Sequence, residues 1–324
     1  MANYDGSLVF DTKIDTSGLQ NDLGKLGNVA RSGAQVTTAA IASIGAAIAS
    51  VAAASFKVGS EFESAFAGVQ KTVNATEEEF AALRQGILDL ARDMPLAATE
   101  IAGIAEAAGQ LGIQTQNIMS FTKTMADLGV ATNMSSEEAA RALARFANIT
   151  QMPQENFDRL GATIVDLGNN LATTEREIVD MSLRLAGAGN QVGLTEDQIL
   201  SFSGALSSVG IAAEAGGTAF SKLMSDMQLA VKTGSESLQD FADVAGMSAQ
   251  EFQRAFEEDA ASAIISFIDG LANAQDSGVS AIQILNEMGI TEIRMRDALL
   301  RAAGASDVFS NALKIGSRAW KENT

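Results

Sequence analysis

Two runs of carboxylates, Glu77-Glu78-Glu79 and Glu257-Glu258-Asp259, are the densest groups of chemically active residues in the sequence. Carboxylate pairs supply the acid and base of glycosidases, and carboxylate clusters bind hard cations such as Ca²⁺ and Mg²⁺. The first run, however, follows Thr76 at an expected helix start, where carboxylates favour the positive end of the helix dipole. With 40 acidic residues in the chain, such runs are expected by chance. We therefore predict neither a catalytic pair nor a metal site.

Histidine and cysteine do not occur in the 324-residue sequence. This excludes a Ser-His-Asp triad, a Cys-His nucleophile, disulfides and the ordinary structural zinc site. The glycine-rich stretches Gly187-x-Gly189-x-x-x-Gly193 and Gly216-Gly217-Thr218 lack the lysine and the preceding strand of a nucleotide loop, so we interpret them as helix breaks. Leu223, Met224 and Met227 lie at helical spacing and are expected in the core. We predict no cofactor and no enzymatic activity.

The chain carries 40 acidic and 22 basic residues, which give it a net charge of −18. A chain this acidic, without a compensating basic block, is a poor ligand for phosphates, and we expect no direct nucleic-acid binding. One modestly basic neighbourhood is interrupted by acidic residues, and we interpret it as a solvated helix face. Its basic residues are Arg294, Arg296, Arg301, Lys314, Arg318 and Lys321.

The charge is unevenly distributed. Residues 1–58 hold four acidic and four basic residues, so the whole excess of 18 negative charges lies in residues 59–324. This change in composition predicts a domain boundary. Alternating apolar residues over 7–15 predict one short strand, and leucines at helical spacing follow it, so we define residues 1–31 as a strand and helix segment. We expect no secretory leader.

Residues 32–58 form an alanine-rich segment, of which the 25 positions 32–56 carry no charge. This length could span a bilayer, but most positions are Ala, Ser, Thr or Gly, so insertion would be marginal. Isoleucines at both coiled-coil core positions favour self-association, with a trimer preferred, and small residues on the adjoining face suit close helix packing. The alternatives are a constitutive membrane anchor and conditional insertion. The candidate residues are Ile41, Ile44, Gly45, Ile48, Ala49, Val51 and Ala53.

From residue 59 onward the apolar pattern is helical and predicts an all-α fold. We assign a core domain to 59–232 and a further helical region, continuing into a longer chain, to 233–324. Capping-box sequences predict helix starts at Thr76, Ser135, Thr174, Thr195 and Ser248. Glycines predict helix ends at Gly112, Gly129, Gly193, Gly210 and Gly246.

The core domain also repeats itself in sequence, which predicts a helical array with an internal duplication of about 80 residues. At an offset of 77, the residues Phe80, Leu83, Ile87, Asp89, Leu90, Glu100 and Ile101 match Phe157, Leu160, Ile164, Asp166, Leu167, Glu177 and Ile178. At an offset of 81, the residues Gly112, Ile118, Ser120, Phe121, Gly129 and Ala131 match Gly193, Ile199, Ser201, Phe202, Gly210 and Ala212.

An ordered series of segments resembles the N-terminal part of phage tail tape measure proteins, and it covers nearly the whole chain. No single segment is diagnostic; their order carries the likeness. The segments are Gly6-Ser-Leu-Val-Phe-Asp-Thr-Lys-Ile-Asp-Thr-Ser-Gly-Leu19, Phe62-Glu-Ser-Ala-Phe-Ala-Gly-Val-Gln-Lys-Thr-Val73, Ala75-Thr-Glu-Glu-Glu-Phe80, 98–112, Gly210-Ile211, Ala215-Gly-Gly-Thr-Ala-Phe-Ser-Lys-Leu-Met224, 241–252 and Arg296-Asp-Ala-Leu-Leu-Arg301.

The resemblance implies a structural protein that lies inside the tail, sets tail length during assembly and leaves toward the host envelope on infection. The implied partners are further copies of itself, tail tube and tail tip or baseplate proteins, tail assembly chaperones and, conditionally, the host membrane. The implied locations are the tail lumen and, during assembly, the bacterial cytoplasm. Family members are usually longer and often carry peptidase or lysozyme domains, so the sequence resembles an N-terminal fragment. The alternatives to this structural role are a helical pore-forming protein and a carboxylate or metal hydrolase.

Overall fold

The structure, a computed structural model, describes residues 59–276 and 280–323. Contacts divide the chain into the units Met1–Glu61 and Phe62–Thr324. The described residues form fifteen helices and no strand, which confirms the all-α class. The predicted strand at 7–15 and the alanine-rich segment 32–58 lie outside the described residues.

We number the helices in chain order. They are α1 (59–72), α2 (Glu77–Asp93), α3 (Ala98–Gln110), α4 (Ile118–Ala131), α5 (Ser136–Thr150), α6 (Phe157–Asn170), α7 (Glu175–Gln191), α8 (Glu196–Ser208), α9 (Ala213–Thr233), α10 (Glu236–Val244), α11 (Ala249–Glu258), α12 (Ala260–Asp276), α13 (Ala281–Glu287), α14 (Ile293–Ala303) and α15 (Ser306–Glu322). Short 3₁₀ turns lead into α4 and α6; they are Thr115–Asn117 and Gln154–Asn156.

Capping boxes begin four of the helices, as the sequence predicts. In each box the Ser or Thr hydroxyl accepts a hydrogen bond from the backbone N–H of the glutamate three residues later. The carboxylate of that glutamate in turn accepts a hydrogen bond from the backbone N–H of the Ser or Thr. These boxes start at Thr76, Ser135, Thr174 and Ser248. At Thr195 the backbone N–H donates to the Gln198 side chain at 3.0 Å, but the hydroxyl donates to Asp197 at 2.6 Å, so only half of the predicted box forms.

Glycines end helices at four of the five predicted positions, where a positive φ stops the helix. These four are Gly112, Gly193, Gly210 and Gly246. The prediction for Gly129 is wrong, because α4 continues to Ala131. Gly129 instead lets the start of α5 approach α4, since a Cβ at this position would overlap the hydroxyl of Ser136.

Helices α2 to α9 form four consecutive helical hairpins, α2–α3, α4–α5, α6–α7 and α8–α9, stacked in two layers. The first helix of each hairpin packs against the first helix of the next, and the second helix against the next second helix. Helix α1 lies beside α3, where a Cβ on Gly109 would come within 2.7 Å of the Thr72 hydroxyl. Such stacking of hairpins, each in contact with its neighbours, is the architecture of a helical solenoid.

Side chains link successive hairpins by hydrogen bonds at a nearly constant sequence separation. Asn190 donates to the Ile149 carbonyl across 41 residues, and Gln228 to the Gln191 carbonyl across 37. Gln154 reaches the Gly112 carbonyl across 42 residues. The structural unit is therefore one hairpin of about 40 residues, and two hairpins account for the length of the predicted duplication, which stays a prediction.

Helices α10 to α14 follow the hairpins and pack mainly against each other and against α9. The chain then returns, because α15 packs along α6 and α8. Arg318 forms an ion pair with Asp166 at 2.9 Å, and Arg159 donates to the Trp320 carbonyl at 2.6 Å. The buried ring of Phe309 lies 5.9 Å from that of Phe202 and 6.1 Å from that of Phe220. Helix α15 thus closes the outer side of the last two hairpins.

Candidate functional site

The seven residues predicted for self-association or membrane activity lie outside the described residues. They are Ile41, Ile44, Gly45, Ile48, Ala49, Val51 and Ala53. Within the described residues, every helix falls short of the length and apolar character that crossing a membrane requires.

Both acidic runs occupy helix ends in the structure. Glu77, Glu78 and Glu79 form the first turn of α2, and Glu79 closes its capping box. The second run joins α11 to α12, where Asp259 accepts hydrogen bonds from the Ser262 hydroxyl and backbone. In 59–276 and 280–323 no group of three or more acidic side chains is arranged to hold a metal ion. Helix capping accounts for the positions of Glu79 and Asp259.

Four of the glycines interpreted as helix breaks lie inside helices, so that interpretation is wrong for them; only Gly193 ends a helix. Gly187 and Gly189 are in α7, while Gly216 and Gly217 are in α9. A Cβ on Gly216 would lie 2.9 Å from the Met181 methyl carbon, and one on Gly217 would lie 2.5 Å from the Arg184 Cβ. These two glycines therefore let α9 pack closely on α7.

The inner face of α9 contains the predicted core residues. Leu223, Met224 and Met227 are all fully buried, which confirms their assignment. They contribute to a hydrophobic core that also includes residues of α12 and α14.

The most strongly shifted carboxyl in the described residues is Glu138 at the start of α5. A hydrogen bond from Arg176 is the largest cause, followed by those from the Ser135 backbone and hydroxyl, and together they lower the pKa of Glu138 to about 2. Arg176 lies in the first turn of α7, in the next hairpin. It also donates a hydrogen bond to the Asn133 carbonyl at 3.2 Å. The ion pair between Arg176 and Glu138 is 2.8 Å long and joins two helices. We therefore attribute the lowered pKa of Glu138 to a structural role of this carboxylate.

An acidic groove of about 740 Å³ lies between α10, α12 and α13. Half-buried apolar side chains, including Val244, Ile284 and Met288, form part of its lining. Four carboxylates also line it, from Asp240, Asp243, Asp269 and Glu287, and its described lining contains no basic residue. Sequence reasoning missed this groove, although its signal is visible: residues 234–289 carry ten acidic residues and one basic residue.

The modestly basic neighbourhood divides into paired and unpaired residues. Arg301 forms an ion pair with Asp297 at 2.9 Å, and Arg318 is held by Asp166. Lys314 and Lys321 are exposed on the same face of α15 as Arg318 and form no ion pair with a described residue. The prediction of a solvated helix face is therefore confirmed for α15.

Comparison with known proteins identifies the family of this chain. A model of the phage-related minor tail protein family matches residues 84–288, from α2 to the end of α13. The chain belongs to this family. Its match covers the four hairpins from Arg84 onward and the lining of the acidic groove, whereas α14 and α15 lie beyond it. The description of this family associates the chain with the phage tail.

Two curated relatives are named as tape measure proteins, which confirms the resemblance found in the sequence. A "Probable tape measure protein" of Halomonas phage phiHAP-1 is 23% identical over 235 residues, covering 68% of this chain and 27% of the relative. A "Tape measure protein" of Pneumococcus phage Dp-1 is 26% identical over 196 residues, covering 58% of this chain and 16% of the relative. The chain thus spans about a quarter or less of these relatives. No solved structure matches it.

Proposed function

We propose that this minor tail protein acts as a tape measure: it occupies the tail lumen, templates assembly and length of the tail tube, and leaves toward the host envelope during DNA ejection. The match of the family model to residues 84–288, together with the names of the two tape measure relatives, carries this proposal. Its partners are tail tube subunits, tail tip or baseplate proteins and tail assembly chaperones, and assembly takes place in the host cytoplasm. The role is structural, with no catalytic step.

Within that role, the hairpin region serves assembly, and length is measured elsewhere in the protein. A ruler needs a length that grows with the number of residues, and a helix of 324 residues would reach roughly 490 Å at about 1.5 Å per residue. Stacked hairpins fold back on themselves about every 40 residues, so they add little length. The longer relatives leave ample chain for the measuring part.

An in-frame deletion of one hairpin, α4–α5, tests this division of roles. Removing residues 118–156 should abolish tail assembly, because α3 and α6 would lose the neighbours on which they pack. Electron microscopy of the particles gives the readout. Infectious particles with tails about 60 Å shorter, as expected at about 1.5 Å per deleted residue, would show that this region is a ruler.

For residues 32–58 we propose self-association in water, with a trimer preferred, and membrane binding only at high local concentration or after other parts of the protein depart. A seam containing Ile44 and Ile48 is too apolar to stay exposed, and burial against further copies removes it from water.

Replacing Ile44 and Ile48 with Asp should lower the oligomeric mass of the purified protein and prevent assembly of infectious particles. An unchanged mass together with normal infectivity would make the segment a passive spacer. Leakage of liposomes caused by the isolated wild-type protein would favour the alternative, a pore-forming protein.

A further inference from the structure

The acidic groove between α10, α12 and α13 has the composition of a docking surface for a cationic segment. Its apolar lining offers contact area, while Asp240 and Glu287 stand exposed on opposite sides, on α10 and α13. No ion pair joins a groove carboxylate to a described basic residue. The negative charge of the groove is therefore uncompensated within the described part of the chain.

The matching positive surface belongs to α15. Lys314, Arg318 and Lys321 follow one another at spacings of four and three residues, which places them on one face of the helix. Leu313, Ser317 and the single acidic residue Glu322 lie beside them. We call this face the basic stripe. It lies in the one stretch after residue 233 with a positive balance, since residues 290–324 hold six basic and four acidic residues.

The basic stripe is fixed in its own chain. Helix α15 packs along α6 and α8, and Arg318 is tied to Asp166 at 2.9 Å. The side chains of Lys314 and Lys321 remain exposed and without an ion pair among the described residues. Within the described part of the chain, neither the negative nor the positive surface is fully paired, so each can meet a second molecule.

We propose that the basic stripe of one copy docks in the acidic groove of a second copy of this chain. Lys314 and Lys321 pair with the groove carboxylates, and Leu313 contacts the apolar lining. The two surfaces differ, so the contact is heterologous: in a pair, one copy keeps a free groove and the other a free stripe, and further copies can join head to tail. This association adds to the proposed tape-measure role and uses residues other than the alanine-rich segment.

Charge explains why this pair of surfaces is favoured over other contacts between copies. Each chain has a net charge of −18, so most surfaces repel. At physiological ionic strength, charges farther apart than about 8 Å are largely screened, and local complementarity governs which surfaces can meet. Residues 234–289, with ten acidic residues and one basic residue, and the basic stripe form the strongest local contrast after residue 233.

Charge reversal tests the contact with the full chain at about 0.15 M salt. The groove variant carries Asp240→Lys and Glu287→Lys, the stripe variant carries Lys314→Glu and Lys321→Glu, and a third variant combines all four changes. A control, Glu77→Lys with Glu78→Lys, changes the net charge as the groove variant does but on α2. Circular dichroism checks that every variant retains its helices, and sedimentation velocity over a concentration series gives the association constant.

We expect the groove variant and the stripe variant each to weaken head-to-tail association by about tenfold or more. The combined variant should regain most of it, because the reversed charges again attract. Association through the alanine-rich segment would not respond in this pattern. Equal association of the groove variant and the control, or no recovery in the combined variant, would overturn the proposal. Loss in the groove variant alone would also overturn it, by assigning the groove to another cationic partner.

Discussion

The hairpin region, α1 to α9, and the C-terminal region, α10 to α15, are both all-α, yet they are held together differently. Hairpins contact their neighbours through side-chain hydrogen bonds that span 34 to 43 residues. Helix α15 instead reaches back across 152 and 161 residues to Asp166 and Arg159. The first region depends on contacts between sequence neighbours, whereas in the second region α15 depends on a few distant contacts. We therefore expect a substitution in the hairpins to destabilise mainly the neighbouring hairpins, and a substitution at the α15 contact to destabilise all the helices that meet there.

The largest expected effect is the loss of a buried ring on each side of this comparison. Phe309→Ala and Phe146→Ala should each cost about 3–5 kcal/mol, since both rings are almost fully buried. Hydrogen exchange distinguishes them. Phe309→Ala should raise exchange in α15, α6 and α8 and leave α2 and α3 protected, while Phe146→Ala in α5 should affect the hairpins around it. Uniform loss of protection in both variants would contradict the distinction.

A smaller effect is expected where helices approach closely. A Cβ on Gly270 in α12 would overlap the carbonyl oxygen of Val244, so Gly270→Ala should destabilise the protein by about 1–3 kcal/mol. Gly187 in α7 is the matched control, because a Cβ there meets nothing within 4 Å. Gly187→Ala should stabilise by about 1 kcal/mol through helix propensity. Urea unfolding measures both, and equal effects would contradict the packing difference.

The smallest expected effect concerns pH and the link between two hairpins. Glu138 has a pKa of about 2 in the folded protein against 4.5 for the free group, so its stabilising effect is present above 4.5 and is lost as the pH falls toward 2. Wild-type protein should therefore lose more thermal stability over this interval than Glu138→Gln. Glu78→Gln on α2 serves as a control for the change in charge. Parallel curves for wild type and Glu138→Gln would contradict the role of the Arg176 hydrogen bond.

Sequence predicts what is local in this molecule. Four capping boxes and four glycine stops lie where their residue types place them, because each depends on a single turn of chain. Gly216 and Gly217 differ: their role is set by Met181 and Arg184 on another helix, and sequence alone does not identify the neighbour.

The acidic groove was beyond sequence reasoning for the same reason. The excess of carboxylates after residue 233 is plain in the sequence, but α10, α12 and α13 must pack before Asp240, Asp269 and Glu287 line one groove. The hairpin unit is an intermediate case. Asp127-Leu128-Gly129 and Asp166-Leu167-Gly168 recur at an offset of 39, half of the roughly 80-residue match.

The path of α15 along α6 and α8 also sets how the chain would respond to mechanical pulling. Force applied at the C-terminal end loads the contacts of Phe309, Arg318 and Trp320 first, because they join that end to the hairpins. Once these contacts break, the force acts on the hairpins, which can detach one after another because each depends mainly on its neighbours. At about 3.4 Å per extended residue, each hairpin of about 40 residues would release roughly 130–140 Å of chain. Under force, the chain would thus lengthen in steps of similar size, one for each hairpin that detaches.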